Sequence, residues 1–397
     1  VPGNVLLITA IFTIFMFYRP IQKFPHFDTS VLSLYLNRSD PASPNEPYRI
    51  SASACSNTTQ VFTTTQSCFC LIQTTPPALP IPPIEVLSID DVSRKFALQK
   101  PTAEQETVAR LRDEGIVIIF KTGAQEVAHL AIQIGTTLRY LSEQDILFFS
   151  DVQGSIGPFI INDALRNVDQ SLRTNDPDFE IYRNIKSYDS TGQDIEELKE
   201  DNAKGNDRSG WRLDKYKFMH MVEETFEMRP NAKWYVFIET DSYVVWNGLV
   251  GMLKRMDSTK PWYLGSAVML GDTAFGHGGS GYVLSNAALN KLLGPEQPQG
   301  LAASWDERVK DMCCGDQALG TALKEKGVLV KGAHPFLNGD KPTTLTYGPH
   351  DHWCQPAVTM HHMLPKEISS LWRFERQREL LLENPNVRSL ISKNTFR

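Results

Sequence analysis

Glu239, Thr240 and Asp241 follow directly on WYVFI (Trp234 to Ile238), so two carboxylates stand one residue apart at the end of an aromatic and β-branched run. Paired acidic oxygens in that position suit a hard divalent cation, and a cation so held grips a diphosphate. On a solvated loop the same pair is ordinary, so its meaning depends on its neighbours. FGHGGSGYVLS (Phe275 to Ser285) is a Gly-rich loop running into an apolar stretch. Its Gly278, Gly279 and Gly281 permit positive φ and close approach of a sugar or phosphate, or simply a tight turn. DMCCGDQALGTAL (Asp311 to Leu323) sets Asp316 at a helix start, as an N-cap or as a base that takes a proton from a hydroxyl. GPHDHWCQPAVTMHHM (Gly348 to Met363) concentrates His350, His352, His361, His362 and Cys354. Imidazole and thiolate are zinc ligands, but this spacing matches no standard finger, and one His completing the site begun by Asp241 is the more economical account.

Such segments need a scaffold that gathers strand ends. IVIIF (Ile116 to Phe120) is a continuous run of the kind found in buried parallel strands. Gln125 to Tyr140 has helical spacing at Val127, Leu130, Ile134 and Leu138, and ILFFS follows, running up to Asp151. Strand, helix, strand predicts an α/β core with a parallel sheet. Thr191 to Ser209 is charged and reads as an exposed loop. Leu213 to Met228 reads as a helix with Phe218, Val222 and Phe226 on one face, stopped by Arg229-Pro230. Open α/β sheets bind ligands at the carboxyl ends of their strands, where Glu239 and Asp241 stand.

The 397 residues, 41% hydrophobic and 22% charged, exclude a disordered, collagen-like or polytopic membrane chain. A net charge of −6 argues against a nucleic-acid partner. Val1 to Tyr18 contains the uncharged run VLLITAIFTIFMFY, with no small-residue cleavage site after it, so residues 1–20 read as an uncleaved signal anchor with the remainder lumenal. Residues 21–90 are a Ser/Thr/Pro-rich stem carrying the sequons Asn37-Arg-Ser and Asn57-Thr-Thr. Cys55, Cys68, Cys70, Cys313, Cys314 and Cys354 suit an oxidising compartment, fully paired or with free thiols beside one bridge. Residues 366–397, with SLWRFERQRELLLENP, form a helical tail.

Taken in order, IVIIFKTG, LFFSD, GWRLDKYKF, WYVFIETDSYVVW, FGHGGSGYVLS, CCGDQALG and VTMHHM resemble the Fringe-like glycosyltransferases. That family contains the β-1,3-glycosyltransferases of family 31, and the likeness is particularly to its fungal branch, from about Ile116 to Met363. The resemblance implies a GT-A fold over 91–365, a Rossmann-like α/β domain that binds a nucleotide sugar. It also implies inverting, Mn²⁺-dependent transfer of a hexose or N-acetylhexosamine from a UDP-sugar to a hydroxyl of a glycan or glycoprotein, with β-1,3 linkage. Lys121 and Thr122 fall where the family's K-T pair meets the nucleotide, and Asp151 matches an acidic residue also near it. Glu239-Thr240-Asp241 aligns with the family's D-x-D, making Asp241 the direct Mn²⁺ ligand and Glu239 a longer replacement for the first Asp. His361 matches the metal-ligating histidine, with His362 the alternative register. Asp316 matches the catalytic base, and Gly278, Gly279 and Gly281 the loop beside the donor sugar. Lys215 and Lys217 either neutralise diphosphate charge or are exposed helical lysines. Anchor and stem complete the layout of a single-pass type II Golgi membrane protein. Two rivals remain: a catalytically inactive Fringe-like binding protein or chaperone of the secretory pathway, favoured by the altered triplet, and a secreted zinc hydrolase built on the His350 to His362 cluster.

Overall fold

Six consecutive buried residues, Ile116–Lys121, form the strand around which the sheet is built. The computed structural model describes residues 101–195, 198, 209–297, 300–346 and 355–383, all within the unit Ile89–Arg397. The strands are β1 (Ile116–Lys121), β2 (Ile146–Ser150), β3 (Gly154–Ile156), β4 (Phe159–Asp163), β5 (Trp234–Glu239), β6 (Tyr243–Val244), β7 (Tyr263–Gly265), β8 (Ala267–Leu270), β9 (Thr273–Gly276), β10 (Tyr282–Ser285), β11 (Val330–Gly332) and β12 (Thr359–Met360). The helices are α1 (Ala103–Asp113), α2 (Val127–Gly135), α3 (Gln170–Asn175), α4 (Glu180–Thr191), α5 (Ser209–Asp214), α6 (Lys217–Met228), α7 (Trp246–Leu253), α8 (Asn286–Leu293), α9 (Leu301–Lys310), α10 (Gly315–Glu325) and α11 (Pro365–Glu383).

One sheet runs β11-β7-β10-β5-β1-β2-β4-β3. The parallel sheet expected from the βαβ pattern holds for β5, β1, β2 and β4, but β10 runs antiparallel to both β5 and β7, so the whole is mixed. Alternation sends Val117 and Ile119 of β1 to one face and Ile116, Ile118 and Phe120 to the other. Phe218, Met219, Met221 and Val222 of α6 cover the first face; Leu111 of α1 and Leu249, Val250 and Leu253 of α7 cover the second. Each large apolar side chain so buried stabilises by about 1.5–3 kcal/mol. Phe237 stacks on Tyr282 with ring centroids 4.6 Å apart, and trimming it to Ala costs about 3–5 kcal/mol.

Two expected helices differ in extent. The Gln125 to Tyr140 pattern is helical only as α2, because Gly135 and the β-branched Thr136 and Thr137 end it in turns. The Leu213 to Met228 pattern divides between α5 and α6, with Asp214 ending the first and Lys217 opening the second. α11 lies against α2; its Ile368 joins Tyr243 and Met363 in a small core, and its Glu375 accepts a hydrogen bond from the Tyr243 hydroxyl. Cys313 and Cys314, neighbours in sequence, are joined by a disulfide just before α10. Among the described residues no helix is long and apolar enough to cross a membrane. The expected anchor and stem, Asn37, Asn57, Cys55, Cys68, Cys70, Cys354, His350 and His352 lie outside the described residues.

Candidate active site

The short pair β6 and β12 brings the acidic triplet and the C-terminal histidines together. Tyr243 pairs with Met360 and Val244 with Thr359, so the residues just before β6 face those just after β12. His361 Nε2 lies 3.2 Å from Asp241 Oδ1, and His362 Nδ1 lies 3.7 Å from Asp241 Oδ2. One ligand atom from each of the three residues falls within 4.8 Å of the others. A carboxylate with two imidazoles is a donor set suited to a divalent transition metal. His361 Nδ1 is buried without a hydrogen-bond partner among the described residues. Burial would depress the His361 imidazolium, but Asp241 outweighs it and holds it above its ordinary value. Burial would likewise raise the Asp241 carboxyl, and His361 pulls it below the usual range.

The backbone fixes this arrangement. Gln133 Nε2 on α2 donates to the Thr240 carbonyl at 2.8 Å and the Ser242 carbonyl at 2.6 Å, and Met363 N–H donates to the Asp241 carbonyl at 2.9 Å. Thr240 Oγ1 donates to Glu126 Oε2 at 2.7 Å, the same oxygen that accepts from Gly123 N–H at 2.8 Å. The loop after β1 is thereby tied to the triplet after β5.

Beside the triplet, register sets Lys121 opposite Glu239, and their side chains pair at 3.0 Å. Lys121 also donates to Asp214 and lies over the Phe218 ring, 4.5 Å from its centroid. Lys217 is buried between Asp151 and Asp214, each 3.4 Å away, and donates to the Thr122 carbonyl at 3.3 Å. Burial alone would depress both ammoniums, but the flanking carboxylates keep both above their ordinary value. Lys121, Thr122, Asp151, Asp214, Lys217 and Glu239 line an open cleft with Gly123, Gln125, Glu126 and Thr240.

The loop between β9 and β10 forms the next wall. Gly281 takes φ +75°, and a Cβ on Gly279 would lie 2.1 Å from His361 Cε1, so only glycine fits against that ring. Gly278 N–H donates to Asp316 Oδ2 at 2.9 Å. Asp316 is not the N-cap of α10; Cys314 holds that place, and Asp316 sits buried in the first turn. Burial pushes its carboxyl above the usual carboxylate range against the Gly278 hydrogen bond. Its Oδ1 accepts from Gln317 N–H at 2.9 Å, so each oxygen keeps a lone pair.

Structure therefore gathers Lys121, Thr122, Asp151, Lys217, Glu239, Thr240, Asp241, Gly278, Gly279, Gly281, Asp316, His361 and His362 at one edge of the sheet. Lys215 is not among them: buried rather than exposed, it donates to the Lys310 carbonyl at 2.8 Å and pairs with Asp178 at 2.9 Å. Asp214, Glu126 and His277 belong to the site and were missed in the sequence. An acid three residues before Lys217 was the signal for Asp214; Glu126 and His277 gave none beyond their place next to other motifs.

Residues 188–334 match the family model described as Fringe-like, a span that holds the acidic triplet, the glycine loop and Asp316. That stretch is similar to a Fringe-like domain. No curated protein matches the chain. The Fringe-like match supports a glycosyltransferase; β1, β2 and the two C-terminal histidines lie outside the matched span, the eight-stranded sheet joining the two strands to it and the β6–β12 pair the histidines.

Proposed function

We propose that this protein is an inverting, Mn²⁺-dependent glycosyltransferase that moves a hexose or N-acetylhexosamine from a UDP-sugar to a hydroxyl of a glycan or glycoprotein, in β-1,3 linkage. The observation that carries the reading is one sheet edge bearing both a cation-suited triad, Asp241, His361 and His362, and a buried carboxylate, Asp316, held by the glycine loop. Charge in the cleft points the same way. Among the described residues lining the cleft, Glu126, Asp151, Asp214 and Glu239 are matched by two cations, Lys121 and Lys217, so a diphosphate entering there needs additional positive charge. Asp241, His361 and His362 would hold a divalent cation, which would supply that charge as a Lewis acid for the departing diphosphate.

This chain's own groups do the rest. Asp316 accepts the proton of the acceptor hydroxyl as its oxygen bonds to the anomeric carbon; the bond from that carbon to the phosphate oxygen breaks, and UDP leaves with the electron pair. A carboxylate whose pKa is raised by burial is the better base, and such general-base assistance is worth about 10²–10⁴-fold. Lys121 and Lys217, fixed by their carboxylates, present the nucleotide with a rigid polar wall. The N-terminal run and sequons support placing the enzyme in the Golgi membrane as a single-pass type II protein with a lumenal domain, a fungal family member by its motifs.

A panel of UDP-sugars with Mn²⁺ or EDTA, assayed on wild type, Asp241→Ala and Asp316→Asn, tests the reading. One donor should turn over with Mn²⁺ only, and both variants should lose it while staying folded. Glu239 pairs with Lys121, which favours the binding-protein alternative in one respect: the first carboxylate of the triplet is engaged elsewhere. Mn²⁺ and UDP binding without turnover of any donor, with a fitting acceptor present, would establish that alternative.

A further inference from the structure

His277 precedes the glycines of the β9–β10 loop and is half-buried at the site. Its Nδ1 accepts from the Ser280 backbone N–H at 3.2 Å and lies 2.8 Å from Ser280 Oγ. A backbone N–H can only donate, so Nδ1 carries no proton, and the neutral ring must bear its hydrogen on Nε2. Its own backbone is pinned too, with the His277 N–H donating to the Ser266 carbonyl at 2.9 Å. The ring meets His361 edge to face, centroids 5.6 Å apart, and is close enough to Asp316 and Glu239 to feel both charges.

An in-line displacement sets the acceptor oxygen by the base at one end and the departing phosphate by the cation at the other. His277 directly precedes Gly278, whose N–H holds Asp316 at 2.9 Å, and its ring meets His361, so it stands near both ends and alongside the group between them, the sugar itself. We propose that His277 is a specificity-determining residue that donates its Nε2–H to an oxygen of the transferred sugar. This rests on the glycosyltransferase reading and deepens it: the donor carries a hydroxyl, or an N-acetyl carbonyl, as acceptor at that edge of its ring. A site built to bond a substrate oxygen discriminates strongly against an analogue lacking it.

The test compares wild type, His277→Phe and His277→Gln by isothermal titration with Mn²⁺ plus UDP, and with Mn²⁺ plus the active UDP-sugar, alongside kcat/KM for that donor and its epimers. In His277→Phe, UDP affinity should stay within about threefold of wild type, while kcat/KM for the sugar donor should fall about tenfold or more and the preference between epimers should shrink. His277→Gln, which keeps an N–H donor, should recover part of the loss. Equal losses for UDP and UDP-sugar, or unchanged epimer preference in His277→Phe, overturn the inference and leave the glycosyltransferase reading intact. Wild type that binds no UDP overturns both.

Discussion

Gly279→Ala isolates the metal site from the rest of the fold. The added Cβ would lie 2.1 Å from His361 Cε1 and 2.2 Å from Nε2, against the roughly 3.5 Å of ordinary carbon contact, so the ring must retreat by about 1.4 Å. Gly279 does not have positive φ, so alanine strains no torsion there and the effect is steric. His361 has little room to yield: its N–H donates to the Asp340 carbonyl at 3.3 Å, and its ring centroid lies 3.9 Å from that of His362, tilted by 36°. Overpacking of this size costs about 1–3 kcal/mol. A ligand displaced by about 1 Å costs about 10²-fold in activity. Thermal unfolding without Mn²⁺ reads the overpacking cost, and the rise in Tm with Mn²⁺ reads metal binding, since a ligand of the folded state raises Tm by mass action. Wild type should be stabilised by Mn²⁺, and Gly279→Ala should keep a cooperative transition but lose that increment. Gly251→Ala in α7, with nothing within 4 Å of its Cβ, is the control and should gain about 0.5–1 kcal/mol. If Gly279→Ala binds Mn²⁺ as wild type does, the close approach of loop and histidine does not govern the site and the reasoning is refuted.

Other predictions follow from charge. Asp316, with its carboxyl raised by burial, should set the acid limb of kcat/KM at a pH above an ordinary carboxylate, and Asp316→Asn should abolish the limb with the activity; a limb at the ordinary value would dismiss Asp316 as the base. The Asp241–His361 ion pair should stabilise the metal-free protein most between the lowered pKa of Asp241 and the raised pKa of His361. Its contribution is lost below that window as Asp241 protonates and above it as His361 deprotonates, which urea unfolding across pH would detect. Because a ligating imidazole must be neutral, Mn²⁺ affinity should rise about tenfold per pH unit below the His361 pKa, with proton release measurable by calorimetry in two buffers. Lys217→Met strips the buried ammonium from between Asp151 and Asp214 and should destabilise by about 3–5 kcal/mol, whereas an exposed pair would cost under about 1; a smaller loss would mean that the two carboxylates rehydrate.

Parts of this fold were legible in the sequence for a simple reason. β1, β2 and β5 are continuous apolar runs because both faces of the sheet are covered, and such runs have no competing helical period. β10 was visible as an apolar stretch, but its antiparallel sense was not, because direction is decided by the excursion through β8 and β9 rather than by the strand's residues. The break between α5 and α6 was equally hidden: Phe218, Val222 and Phe226 keep helical spacing, while the end of α5 at Asp214 accompanies long-range bonds to Lys121. Sequence could not choose between His361 and His362, and β12 ends where both rings come near Asp241.

The charged wall of the cleft carries a further lesson. A largely buried network of Lys121, Lys217 and Asp151 with the half-buried Asp214 and Glu239 is a poor means of stabilising a protein, because desolvation offsets most of the attraction. Apolar residues of similar volume at the ends of β1 and β2 would have completed the core at lower cost. What the network provides is orientation: five charges that line the cleft are held in place by one another and by the Thr122 carbonyl. Preorganised dipoles of that kind bind a polar ligand without paying to reorganise when it arrives. Expensive burial of charge at the carboxyl edge of the sheet, within reach of a cation-suited triad, is therefore itself an argument that this edge is where the protein does its chemistry.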